Sequence, residues 1–79
     1  MDSTTDQQGQ TIYEIQVQGT ISQRWLNWLD GIAIVHVEDT GSFAVTTAKV
    51  SVPDQAALLG NLQKLHNLGF SLMQVRRLI

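Results

Sequence analysis

The chain has 79 residues, a net charge of −2 and no cysteine. That length fits one domain, and a hydrophobic content of 43% is enough for a core and too much for a disordered segment. Five Lys and Arg residues make no basic stripe of the kind that neutralises nucleic-acid phosphates, and the lack of cysteine removes disulfide scaffolds and thiolate metal sites.

Residues 1–10 carry no apolar side chain after Met1 and are expected to form a disordered tail, leaving residues 11–79 as the folded domain. From Thr11 the pattern has period two. Tyr13, Ile15 and Val17 alternate with Glu14, Gln16 and Gln18, which describes a strand with one buried and one wet face. Gly19 ends it. Thr20 stands three residues before Gln23 in capping-box spacing, and Ile21, Trp25, Trp28 and Leu29 then fall on one side of a helix that Gly31 closes. Ile32 to Glu38 is β-branched and predicts a second strand, and Asp39-Thr40-Gly41 a hairpin turn. Ser42 to Val52 is the third strand. Its alternation begins on Phe43, Val45 and Thr47 and ends on Val50 and Val52, so a β-bulge is expected near Ala48-Lys49.

Pro53 stops that strand and Asp54 is a good N-cap. Leu58, Leu62 and Leu65 form a helical stripe flanked by Leu59 and His66, and Gly69 closes the helix. Gly60, in mid-helix, has two explanations: close approach of a neighbouring backbone, or simple tolerance. Ser71 to Ile79 is the fourth strand, with Met73 and Val75 expected on the core face. The order β-α-β-β-α-β with right-handed crossovers predicts an α+β, ferredoxin-like two-layer sandwich: an antiparallel four-stranded sheet in order 4-1-3-2 with two helices on one face.

The segments Tyr13-Glu14-Ile15-Gln16-Val17-Gln18-Gly19, Arg24-Trp25-Leu26-Asn27-Trp28-Leu29-Asp30-Gly31 and Asp54-Gln55-Ala56-Ala57-Leu58, with Leu68-Gly69, carry a further signal. Their pattern (Y-x-I-x-V-x-G, R-W-x-x-W, D-Q-A-A-L) resembles a group of short, functionally uncharacterised bacterial proteins, over about Tyr13 to Val75. Pro53 departs from that pattern, where the group tends to carry an aliphatic residue. The resemblance implies a family and no activity.

Three functional families share the element order. Acylphosphatases cradle phosphate between the first strand and first helix with an Arg, and position water with an Asn; Gly19 and Arg24 are similar in outline, but the second strand offers His36 instead of Asn. RNA-recognition motifs stack bases on exposed aromatics, whereas Tyr13 and Phe43 are both assigned to the core. Ligand-sensing domains of the ACT type resemble the layout too, which makes Gly19, Thr20 and Arg24 the candidate small-molecule site.

No catalytic set is expected. His36 and Glu38 share a strand face, but a metal site needs a third ligand and His66 lies on a distant helix, so neither metal nor cofactor is expected. Trp25 and Trp28 are expected as core anchors, with a pocket or partner surface as the other reading. The wet sheet face should show Glu14, Gln16, Gln74 and Arg76, with Ile12, Leu72 and Leu78 at its margins and an ion pair between Glu14 and Arg76. That face suits a homodimer or another protein partner. The longest apolar stretch, about Gly31–Val35, is far short of the roughly 20 residues a bilayer span needs. The acidic start is also unlike a signal peptide. A cytoplasmic interaction module, with neither membrane nor nucleic acid as partner, is therefore the leading expectation, ahead of the ACT-like sensor and the acylphosphatase-like hydrolase.

Overall fold

A computed structural model describes residues 9–79; the tail expected over residues 1–10 lies outside the described residues except for Gly9 and Gln10. The elements run β1 (Thr11–Gln18), α1 (Gln23–Leu26), β2 (Ile32–Asp39), β3 (Ala44–Val52), α2 (Gln55–Asn67) and β4 (Ser71–Arg77). The strands form one antiparallel sheet in order β2-β3-β1-β4, the expected order read from the other edge. Four antiparallel strands and two helices in this sequence are the ferredoxin-like layout.

Period two in β1 does what it predicts. Tyr13, Ile15 and Val17 are buried, and their partners across β3 are Val50, Ala48 and Thr46. All of these but Thr46 join Ile21, Leu29, Val52, Leu58 and Leu65 in one core cluster, with Trp25, Leu26, Leu62 and Phe70 packed against it.

The register of β3 differs from expectation. It runs against β1 without a break from Thr11↔Val52 to Gln18↔Val45, so there is no bulge on that side at Ala48-Lys49. The even-numbered residues Thr46, Ala48, Val50 and Val52 share the apolar face, while Val45 and Thr47 lie on the other. Thr46 disguises the pattern. Its hydroxyl is fully buried because it donates to the Gly19 carbonyl at 2.6 Å, which removes the cost of a polar atom at a core position. Phe43 is not on a core face at all. It sits in the hairpin turn, where Thr40 N–H and Oγ1 both donate to its carbonyl.

The irregularities fall in the edge strands. Val35 is the extra residue between Ile34↔Ala48 and His36↔Thr47, and Met73 the extra residue between Gln16↔Gln74 and Val17↔Leu72. An inserted residue reverses the side-chain parity beyond it. Leu72 therefore joins Val75 on the apolar-face side instead of marking the margin of the wet face, and Met73 is the bulge residue instead of a core one.

The first helix is a single turn, not the longer amphipathic helix expected. Ser22 takes the N-cap position in place of Thr20 and makes no side-chain cap bond. The reason for the early stop lies in α2. Continuation would need Asp30 N–H to bond back within the helix, yet it donates to Asn61 Oδ1 at 3.1 Å while Asn61 Nδ2 donates to Asp30 O at 2.7 Å. Gly31 then turns with φ +68°, and a β-carbon there would collide with the Ser51 carbonyl. That glycine opens β2 and does not cap a helix.

The second helix matches its sequence signals. Asp54 caps it by accepting from Ala57 N–H at 2.8 Å. At the far end Phe70 N–H donates to Leu65 O and Gly69 N–H to His66 O, the paired bonds of a Schellman stop. Nothing lies within 4 Å of the space beside Gly60, so the tolerance explanation applies there.

Candidate functional site

The register lays the expected wet face out as rows across the sheet. Arg76, Glu14, Lys49 and Ala33 form one row, Gln74, Gln16, Thr47 and His36 the next, and Ser71, Gln18, Val45 and Glu38 a third. Glu14, Gln16, Gln74 and Arg76 are thus contiguous. Arg76 Nη2 donates to Glu14 Oε1 at 3.0 Å, forming the expected ion pair, and Gln16 Nε2 donates to Thr47 Oγ1 at 3.3 Å. The face is polar and internally bonded, with charges of both signs.

Gly19, Thr20 and Arg24 are differently placed. Gly19 N–H donates to Ala44 O and its carbonyl accepts from Thr46, so both polar groups serve the fold. The Phe70 ring lies 3.0 Å from where a Gly19 β-carbon would sit. Thr20 is exposed, and the Arg24 guanidinium lies 5.7 Å from the centre of the Trp25 ring. No pocket is found among the described residues. His36 Nε2 and Glu38 Oε1 are 3.8 Å apart on β2 and largely exposed. His66 is exposed on α2 rather than half-buried, and no group of three or more metal-ligating side chains is found among the described residues.

The tryptophans divide. Trp25 is half-buried against the core, whereas Trp28 is 44% exposed, because the single-turn helix never carries position 28 back to the sheet. Their ring centres are 6.3 Å apart. Lys64 Nζ lies 5.3 Å from the Trp28 ring centre and donates to the Trp28 carbonyl at 3.1 Å. With Asn61 it fastens the segment after α1 to α2.

The expected order already put β4 at an edge; what sequence reading missed is how much apolar side chain that edge leaves exposed. All seven residues of β4 are exposed, and Leu72, Met73 and Val75 are exposed by 51%, 48% and 38%. Leu59 of α2 is exposed by 62%. The hydrophobicity of these residues was legible, but their exposure depends on β4 ending the sheet and on the parity change at Met73.

Sheet order and connections place the chain among α+β domains of ferredoxin-like layout. The chain belongs to the family described as "Domain of unknown function (DUF8691)", whose model matches residues 12–76. No curated protein and no solved structure matches it. No helix among the described residues is long and apolar enough to cross a membrane.

Proposed function

We propose that this domain is a non-enzymatic protein-interaction module that self-associates through its sheet. The observation that carries the reading is β4, an edge strand with no residue buried and three large apolar side chains in water. The other edge strand, β2, also exposes Val35 and Val37, but β4 has three such side chains within four residues, and apolar groups clustered in this way, rather than scattered singly, mark an interaction surface. Gln74 and Arg76 of that strand and their β1 partners Gln16 and Glu14 form a contiguous polar patch on the opposite face, a hydrogen-bonding rim of the kind interfaces use.

The reading takes both helices to lie on the apolar face as one layer of a two-layer sandwich, supported by the shared cluster of Ile21, Leu29, Leu58 and Leu65 with the strand side chains. It also takes the protein to be bacterial and cytoplasmic, on the motif resemblance and the absence of cysteine. A small-molecule site at Gly19, Thr20 and Arg24 has less support, because the Gly19 peptide groups are already bonded. Sedimentation velocity of the full chain across a wide concentration range tests the proposal. A sedimentation coefficient that rises with concentration is expected, and one that stays monomeric throughout removes it.

A further inference from the structure

We propose that β4 pairs antiparallel with β4 of a second copy about a two-fold axis, joining two four-stranded sheets into one; this rests on the self-association reading and specifies its surface. β4 ends the sheet, so its outward N–H and C=O groups have no strand partner. Natural edge strands are commonly blunted by proline, an inward charge or a covering segment; β4 contains no proline, and its one charge on the apolar-face side is Arg77, opposite Tyr13 at the very end of the strand.

The bulge selects the pairing. Because Met73 is inserted, Leu72 and Val75 lie on the same face although they are three residues apart, opposite Val17 and Ile15. The two-fold register that brings like faces together therefore sets Val75 of one copy against Leu72 of the other, twice. It also sets Arg76 against Ser71, with Met73 and Gln74 about the axis. Half-exposed apolar side chains meet each other and bury mutually.

Charge favours the same arrangement. Because the bulge takes up one residue, Arg76 of the two copies stands four pairing positions apart along the strands, roughly 13 Å at 3.3–3.4 Å per residue, beyond the screening length of about 8 Å in physiological salt. Arg77 falls beside Phe70 of the other copy, next to the carbonyl end of its α2, where a cation is favoured. Parallel pairing would instead stack Arg76 on Arg76 at about 4.8 Å. Antiparallel pairing of β4 with β2 of another copy sets Glu38 and Asp39 at the far end from the two arginines, and such a head-to-tail contact builds rings or open filaments instead of a two-fold dimer. The seven residues of β4 fall well below the roughly 20–30 residues per side of a standard interface. The dimer is accordingly reversible and concentration-dependent.

The test uses the full chain, which has no thiol of its own. Leu72 and Val75 stand opposite Val17 and Ile15, only two β1 residues or roughly 7 Å apart, so the two thiols are placed on separate chains: in an equimolar mixture of the Leu72→Cys and Val75→Cys single variants each chain holds one thiol and any disulfide must join two copies. Under mild oxidation that mixture is expected to give a disulfide-linked dimer, while Gln16→Cys, at the middle of the polar face, is not. Val75→Lys, checked for retained circular dichroism, is expected to weaken dimerisation at least tenfold in sedimentation equilibrium. A dimer that survives Val75→Lys, or one that cross-links through Gln16→Cys and not through the edge pair, overturns the β4 mode and leaves self-association standing. A wild-type chain that is monomeric at every concentration overturns both.

Discussion

Asn61 is the side chain whose loss should be felt most sharply for its size. It is 2% exposed, and its amide holds both polar groups of the Asp30 peptide at 3.1 and 2.7 Å. Each bond contributes about 1 kcal/mol net, and stripping the partner from a half-buried peptide group costs a further 1–3 kcal/mol or so. Asn61→Ala should therefore destabilise by about 2–4 kcal/mol, against a total of roughly 4–12 kcal/mol for a chain of 79 residues. At about 4–8 °C per kcal/mol for a domain of this size, the melting temperature should fall by roughly 10–25 °C. Thermal and urea unfolding followed by circular dichroism measure this directly. Asn61→Leu, which fills the volume without the bonds, should lose nearly as much. Asn61→Asp keeps an acceptor for Asp30 N–H but faces the Asp30 carbonyl with an acid that is a donor only when protonated. The introduced carboxyl should titrate above its unfolded value of about 3.9. This variant's deficit is then smallest below about pH 4 and grows as pH rises through the folded-state value. If all three variants stay within about 0.5 kcal/mol of wild type, the size of an ordinary surface substitution, Asn61 does not hold the loop.

Two glycines should respond in opposite directions. Gly60→Ala meets open space in mid-helix and should stabilise by up to about 1 kcal/mol, whereas Gly31→Ala combines a left-handed backbone with a collision at the Ser51 carbonyl and should cost at least about 2 kcal/mol; urea midpoints separate the two. A double-mutant cycle on Glu14 and Arg76 should return about 0.2–1 kcal/mol of coupling. That coupling should shrink in molar salt, and a value unchanged by salt contradicts a screened surface pair.

Period two in β1, the leucine stripe of α2 with its Asp54 cap, and the hairpin at Asp39-Thr40-Gly41 were all legible, because each is set by residues close in sequence. So was the polar face, since Glu14, Gln16, Gln74 and Arg76 follow from strand parity alone. What misled was long-range. Asn61, thirty-one residues from Asp30, captures the peptide that would have continued α1, and no local pattern announces it. Thr46 occupies a core position by bonding to Gly19, so a hydropathy alternation scores it on the wrong side. Met73 looks like a core residue until the bulge is known, and its insertion moves Leu72 to the other face. The place of β4 at the edge followed from the expected strand order, but which of its side chains lie toward the apolar face depended on that bulge.

Of the two interior strands of the sheet, β1 is made before β3, and one of its two neighbours, β4, comes after every other strand. Glu14 waits for Arg76, sixty-two residues downstream, and until β4 arrives that flank of β1 is an open template. Non-local pairing of this kind slows folding. A ribosome-bound chain that has reached only α2 therefore offers an unprotected strand to any extended segment nearby, a hazard for incomplete chains generally. Shortening the chain before Ser71 should accordingly convert a foldable sequence into a sticky one, even though the deleted strand is itself the most solvent-washed part of the sheet.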